Sequence, residues 1–212
     1  MPSILSMNFT YKTIEKPSEG IYKEKGSKFI AYCFPVTHIS TIKYHIEAIK
    51  KEHWGAKHVC WAYRLGTRGE NIKYHDAGEP ANTAGKPIAG QLISKELTNI
   101  LAIVVRYFGG TLLGTGGLIQ AYKTATDDAL CNASVIEKEI ELLYNITCKY
   151  EHINLLMNIL RETKARILQN SGDYLNTMLI SVNLKNNALL KEKIEALQYL
   201  EVNIEPKTID NE

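Results

Sequence analysis

The feature that most constrains this chain is its most apolar run, NILAIVVRYF at residues 99–108, which leads directly into a glycine-rich segment. A run this rich in Ile, Val and Leu predicts a buried strand. The segment that follows, GGTLLGTGGLIQAYKTA, contains five of the chain's 14 glycines and opens a helix that continues to residue 133. Two interpretations stay open: a loop that cradles a phosphate, or a turn in which glycine is needed for backbone reasons.

Upstream of this run, hydrophobic periodicity predicts alternating strands and helices. The predicted elements are a strand ended by Pro35 (27–36), a helix (38–54), a strand (58–66), an ordered Gly/Pro-rich loop (76–87) and a short helix (88–97).

Downstream, the pattern changes to a second unit. It predicts a strand (139–150), a helix (152–165), a hairpin around residues 171–173 (strands 166–174 and 175–184), a helix (186–200) and a strand (202–208). This β-α-β-β-α-β order is ferredoxin-like. We therefore predict an α+β protein with two domains, 1–136 and 137–212.

Composition excludes few functions. The net charge is +2 and charged residues make up 23% of the chain, so the whole molecule is not strongly basic, although one face can be. The four cysteines form no CxxC pair and fit reduced thiols. The chain shows no signal peptide and no apolar run of membrane-spanning length, so we expect a cytoplasmic protein without a membrane partner.

The glycine spacing fits neither of the two well-known nucleotide fingerprints. In GTGGLI, Ile119 stands where the dinucleotide motif requires its last glycine. In the upstream loop Gly85-Lys86 is followed by Pro87, and Pro80 stands where a P-loop requires its first glycine. A dinucleotide-binding motif and a P-loop are therefore both disfavoured, and no cofactor is expected.

No catalytic or metal site is assigned from the sequence. His53, His58 and Cys60 cluster loosely, but a fourth ligand at metal spacing is missing from the pattern. Asp76 and Glu79 allow two interpretations, a pair of carboxylates for acid–base chemistry or two structural groups. In the structural interpretation Asp76 caps a turn and Glu79 pairs with Lys86 or Arg106.

Basic side chains alternate with tyrosines through the first domain. Such a pattern suits phosphate contacts combined with base stacking, but a solvated rim around an ordinary core gives a similar pattern. The residues concerned are Arg64, Lys73, Lys86, Arg106 and Lys123, with Tyr63, Tyr74, Tyr107 and Tyr122.

Two long motifs, DAGEPANTAGKPI and VVRYFGGTLLGTGGLIQAY, resemble those of the IMPACT family and its bacterial branch. SKFIA and AKHVCWAYRLG also look like the family, and the likeness covers about residues 20–130. There are two departures: Gln120 stands where the family usually has Arg or Lys, and Asn82 stands where glycine is frequent. Gln120 makes the glycine segment less cationic than usual.

The resemblance implies a first domain of the β-α-β type found in the second domain of ribosomal protein S-five, followed by a ferredoxin-like domain. Both likenesses point to RNA or the ribosome by analogy of fold. The expected function is that of a non-enzymatic regulatory or accessory protein of translation. The rivals are an enzyme or sensor for a small phosphorylated ligand or nucleotide, and a protein-binding module for a kinase activator or another translation factor.

The expected binding surface joins the two motifs. Lys86 and Arg106 would contact phosphate, the glycines would let the backbone approach the ligand, and a tyrosine would stack. The full set of candidate binding residues is Asp76, Glu79, Thr83, Gly85, Lys86, Arg106, Tyr107, Gly109, Gly110, Gly114, Gly116, Gly117 and Tyr122.

Overall fold

A computed structural model describes residues 8–172 and 175–207 of the chain. These residues form two compact units, the first Tyr11–Lys138 and the second made of 139–207 with 8–10. The division at residues 136 and 137 stays our proposal for the domain boundary. In the described ranges, no helix is both long enough and apolar enough to cross a membrane.

The first unit is built on a five-stranded sheet with the strand order β2-β3-β6-β4-β5. Every neighbouring pair in this sheet is antiparallel. Its strands are β2 (Ser18–Glu24), β3 (Ser27–Pro35), β4 (His58–Leu65), β5 (Asn71–His75) and β6 (Ile100–Tyr107). A separate two-stranded sheet pairs β1 (Thr10–Ile14) with β7 (Val135–Glu139).

Three helices cover both faces of the five-stranded sheet. They are α1 (Ile39–Glu52), α2 (Gly85–Ser94) and α3 (Gly114–Cys131). On one face α1 packs on alternate residues of β3, β4 and β6, and on the other face α2 and α3 pack on the remaining residues. β6 lies at the centre of the sheet, and the predicted buried strand is confirmed because six apolar residues from Ile100 to Val105 are each 0% exposed.

The second unit has the predicted β-α-β-β-α-β order. Its elements are β8 (Glu141–Cys148), α4 (Ile153–Glu162), β9 (Arg166–Ser171), β10 (Asn176–Asn183), α5 (Asn187–Glu195) and β11 (Asn203–Pro206). The strand order β11-β8-β10-β9 is antiparallel throughout and ferredoxin-like. The predicted hairpin turn includes Asp173, which lies outside the described residues. The α+β fold class is thereby confirmed.

Several short elements differ from the sequence prediction. β1, β2, β5 and β7 were not predicted, since they are edge or isolated strands in which most side chains are exposed. α2 begins at Gly85, three residues earlier than the predicted 88–97 helix, so that Lys86 and Pro87 lie in its first turn. Proline is well tolerated there because no intrahelical partner is needed for its nitrogen.

Candidate functional site

The glycine loop connects the end of β6 with the start of α3, and its residues 108–112 are exposed. Gly109 is required for packing, because a Cβ on it would lie 1.8 Å from the carbonyl carbon of Gly26. Gly110 and Gly114 adopt φ values of 87° and 69°, which glycine tolerates without strain. The structural interpretation therefore accounts for these three glycines.

The same loop also leaves backbone accessible. A Cβ built on Gly110, Gly114 or Gly116 would meet no atom within 4 Å, so these positions face open space. The first turn of α3 contains no acidic side chain, and its N-cap residue Leu113 makes no side-chain hydrogen bond to it. The start of α3 thus combines free N–H groups with the positive end of the helix dipole. Gly117 is more enclosed, since its Cβ would lie 3.0 Å from that of Leu113.

Large apolar side chains stand exposed around this backbone. Phe108 is 50% exposed, Leu112 82% and Ile119 41%. Sequence reasoning did not select them, because it looked for tyrosines as stacking groups. The sequence position of Phe108 could have identified it. It follows the buried strand by one residue, where a side chain leaves the sheet.

The upstream loop is organised by Asp76. Its carboxylate accepts hydrogen bonds from the backbone N–H groups of Asn82 (2.9 Å), Ala84 (3.0 Å) and Gly85 (2.8 Å). These bonds satisfy donors at the start of α2, as an N-cap side chain does. This geometry is the one that the turn-capping interpretation of Asp76 describes. Because the Asp76 carboxylate occupies the start of α2, these N–H groups are not available to an external anion.

Other predicted binding residues of this loop are also internal. Thr83 is 3% exposed, and its hydroxyl donates to the Pro80 carbonyl at 2.7 Å. Gly85 is buried, and a Cβ on it would lie 2.8 Å from the backbone nitrogen of His75. Lys86 is exposed in the first turn of α2. Among the residues predicted to contact phosphate, Lys86 is the one that the structure presents to solvent.

Glu79, Arg106 and Tyr122 form a buried polar group, the Glu79 cluster. Oε1 of Glu79 accepts hydrogen bonds from Nη1 of Arg106 at 2.7 Å and from the Tyr122 hydroxyl at 2.8 Å. The three residues are 8%, 5% and 0% exposed, respectively. Burial, with smaller contributions from Cys60 and Glu79, raises the pKa of Tyr122 far above its usual value. The phenol therefore stays protonated and donates.

This cluster joins the two sequence motifs. Glu79 belongs to the first motif, whereas Arg106 and Tyr122 belong to the second. The structure thus pairs Glu79 with Arg106, one of the two partners that the sequence left open. Arg106 and Tyr122 were predicted to belong to the binding surface, but their bonds to Glu79 hold both side chains inside the protein.

Aromatic and polar neighbours complete the environment of Arg106. Its guanidinium carbon lies 5.5 Å from the ring centroids of both Phe29 and Phe108, which is cation–π distance. Its Nε atom is buried without a hydrogen-bond partner among the described residues. Nε2 of His58 lies 4.0 Å from Oε1 of Glu79. The exposed ring of Phe108 therefore rests on a fixed, buried cation.

Cys60 and His58 lie on the same sheet face as the cluster. The Cys60 thiol donates to the Asp76 carbonyl at 3.0 Å, and Nδ1 of His58 lies 2.9 Å from the Ala77 carbonyl oxygen. Burial raises the pKa of the Cys60 thiol to about 12, so it is not a ready nucleophile. His53 shares a hydrogen bond with Tyr107 on the opposite face, so the three residues do not converge.

Tyr107 and Gln120 also have placements that bear on the predicted surface. The Tyr107 ring packs on the α1 side of the sheet, since neighbouring strand residues point to opposite faces. Gln120 is exposed on α3, and its amide donates to the Thr124 hydroxyl at 3.0 Å. Neither side chain joins the Glu79 cluster.

Comparison with known proteins places this architecture in a family. The family model of the Impact N-terminal domain matches residues 25–130, which include both motifs. YvyE of Bacillus subtilis, an IMPACT family member, is 34% identical over 158 residues, covering 74% of this chain and 73% of its own. An IMPACT family member of Haemophilus influenzae is 38% identical over 149 residues, with coverages of 68% and 71%. YigZ of Escherichia coli, another member, is 34% identical over 162 residues, with coverages of 76% and 78%.

A solved structure supports the fold as well. The crystal structure of a hypothetical protein superposes with a TM-score of 0.74 at 26% sequence identity. The match covers 96% of this chain and 100% of that one, so both units have counterparts in it. With the two motifs, the matching family model and relatives that align over about three quarters of their length, this chain belongs to the IMPACT family.

Proposed function

We propose that this protein is a cytosolic accessory or regulatory factor of translation that binds RNA on the ribosome. The binding surface is the glycine-loop face, defined as residues 108–119 together with Lys86. The proposal draws on the fold likeness to translation proteins that the family resemblance implies, and on the geometry of this face.

One observation carries the proposal: an exposed aromatic ring stands beside free backbone N–H groups. The Phe108 ring is half exposed and lies over the buried Arg106 guanidinium, so it can stack with a base at little entropic cost. The open backbone from Gly110 to Gly116, next to the start of α3, suits the approach of a phosphate. Stacking groups with phosphate contacts are what single-stranded RNA requires.

The side-chain charge on the same helices supports an anionic partner. Lys86 on α2 and Lys123 on α3 are both exposed, and these helices cover the same side of the sheet. Gln120 adds no charge, so Lys86 is the basic side chain to test first. Lys123 is the second.

A pull-down from bacterial lysate with the 212-residue chain tests this function. We expect ribosomal RNA and ribosomal proteins to be recovered, and their amount to fall sharply after nuclease treatment. Lys86→Ala should reduce recovery, whereas Lys23→Ala, an exposed lysine on β2, should not. Recovery of a defined protein complex that survives nuclease would instead identify a protein-binding module and overturn the RNA proposal.

A second candidate function is the binding of a small phosphorylated ligand. The specific observation in its favour is the Glu79 cluster, a buried ion pair whose guanidinium Nε has no partner among the described residues. Buried, incompletely bonded charged groups are common at binding sites. A thermal-shift screen with nucleotides and Mg²⁺ discriminates, because reproducible stabilisation by one nucleotide favours this candidate.

A further inference from the structure

A groove lies on the sheet face opposite the Glu79 cluster, between α1 and the strands β4 and β5. Its volume is about 520 Å³, which is enough for a nucleotide-sized group. It belongs entirely to the first unit. Its lining includes Lys43, Glu47, Lys50, Trp61, His75 and Ala77.

The groove has an aromatic wall. The Trp61 and His75 rings are nearly parallel, with 13° between their planes and 5.7 Å between centroids. Trp61 is also parallel to Tyr63, at 6° and 5.9 Å. Cross-strand pairing holds this order, since Trp61 faces His75 and Tyr63 faces Lys73 in the β4–β5 register. Trp61 is half-buried and His75 is exposed, so part of the wall is open to a flat ligand.

The opposite wall, α1, carries positive charge. Lys43 and Lys50 both line the groove and are exposed, and in the described part of the chain Lys43 makes no ion pair. Glu47 pairs with Lys50 at 2.8 Å, with both side chains about half exposed. Such an exposed pair is worth at most about 1 kcal/mol, so a phosphate can replace the carboxylate. An aromatic wall facing two ammonium groups matches a base that carries a phosphate.

The groove is also adjacent to the 76–84 loop, which precedes Lys86 of the glycine-loop face. Ala77, which lines the groove, is the neighbour of Asp76, and Asp76 caps the helix that carries Lys86. The 76–84 loop therefore connects the groove, along the chain, to the start of α2 where Lys86 lies.

We propose that the α1 groove holds one nucleotide of a single-stranded RNA, with its base against Trp61 and His75 and its phosphate between Lys43 and Lys50. The inference rests on the proposed function, because it names a second contact for the same partner. An apolar peptide fits less well, since charged or polar side chains of Lys43, Glu47, Lys50 and His75 line the groove beside its apolar residues.

Tryptophan fluorescence tests the groove directly. The chain has two tryptophans, and Trp54 is 88% exposed, so Trp54→Phe removes it with little structural effect and leaves Trp61 as the reporter. We expect saturable quenching of Trp61 by a single-stranded RNA of about eight nucleotides. Adding Lys43→Ala and Lys50→Ala should weaken the apparent affinity at least about fivefold, because two phosphate contacts are lost.

The control and the opposing outcomes separate this inference from the proposed function. Lys51→Ala, on the same helix but outside the groove, should leave the quenching curve unchanged. RNA binding that depends on Lys86 but never quenches Trp61 overturns the groove and leaves the proposed function standing. Quenching that is the same in the Lys43/Lys50 and Lys51 variants overturns the groove as well. Absence of RNA binding by any readout overturns both.

Discussion

At the scale of single residues, Glu79 carries the connection between the two motifs. One carboxylate oxygen accepts from a guanidinium and a phenol, and all three side chains are nearly excluded from water. A buried charge of this kind is tolerated only while its partners are in place. Glu79 of the first motif and Arg106 and Tyr122 of the second are thus parts of one interaction.

Removing the partners of Glu79 should destabilise the protein in a graded way. Arg106→Ala leaves a buried carboxylate without its ion-pair partner and should lower the free energy of unfolding by about 3–5 kcal/mol. Tyr122→Phe removes one hydrogen bond to a charged group and should cost about 1.5–3 kcal/mol. Urea unfolding of both variants of the 212-residue chain measures the two losses. A loss below about 1 kcal/mol for Arg106→Ala would contradict the role given to the cluster.

The cysteines should differ sharply in reactivity. Cys33, Cys60 and Cys148 are buried, and burial raises the pKa of the Cys33 and Cys60 thiols to about 12. Since the thiolate is the reactive form, these two gain reactivity only as the pH approaches that value. Cys131 is exposed. At pH 8 an aromatic disulfide reagent should therefore modify one thiol rapidly in the native protein and all four after unfolding. Rapid modification of Cys60 in the folded state would contradict the burial of its thiol.

At the scale of secondary-structure elements, each motif sets the start of one helix, but in different ways. The start of α2 is closed by the Asp76 side chain. The start of α3 has no side-chain cap and no acidic residue in its first turn. Of these two helices, α3 therefore presents backbone donors to an external anion and α2 does not. For this reason the glycine-loop face centres on α3.

Asp76→Ala should loosen the start of α2. Three backbone N–H groups lose their acceptor, and we expect a loss of about 1–2 kcal/mol in unfolding free energy. Hydrogen exchange should accelerate at Ala84 and Gly85. Asp127→Ala is the matched control, because Asp127 makes only an exposed ion pair with Lys95. If both variants lose the same stability, Asp76 is not acting as a cap.

Two glycines of the same segment should respond oppositely to alanine. Gly109→Ala places a Cβ against the Gly26 backbone and should destabilise by at least about 3 kcal/mol. Gly116→Ala meets open space inside α3 and should be neutral or stabilising by up to about 1 kcal/mol. Thermal unfolding compares them. Gly116→Ala should nevertheless weaken RNA binding, since the new methyl group stands where the ligand approaches.

At the scale of the whole molecule, strong periodicity made most of the fold predictable. The apolar β6, the amphipathic α1 and the order of the second unit all followed from the sequence. The strands β1, β2, β5 and β7 did not, because pairing with a neighbour stabilises them more than their own composition does. Likewise, Pro87 concealed the true start of α2, which depends on the distant acceptor Asp76.

The sequence predicted the side-chain orientations of the candidate site less well than it predicted the fold. Sequence motifs select segments of the chain, but they do not say which way a side chain points. Arg106 and Tyr107 are adjacent on β6, so they face opposite sides of the sheet, and Arg106 finds its partner Glu79 inside. The exposed groups, Phe108 and Leu112, lie just beyond the strand, where alternation ends.

RNA binding through the glycine-loop face is tested by the salt dependence of RNA affinity, recorded by fluorescence anisotropy with a labelled ribosomal RNA fragment. For the wild-type protein we predict that the logarithm of the association constant falls with the logarithm of the salt concentration with a slope of about −2, as for three phosphates of single-stranded RNA contacted by Lys86, by Lys123 and by the Lys43–Lys50 pair. Lys86→Ala should reduce that slope by about 0.7, whereas Lys23→Ala should not change it. A slope near zero, or one that is unchanged in Lys86→Ala, would contradict RNA binding through the glycine-loop face.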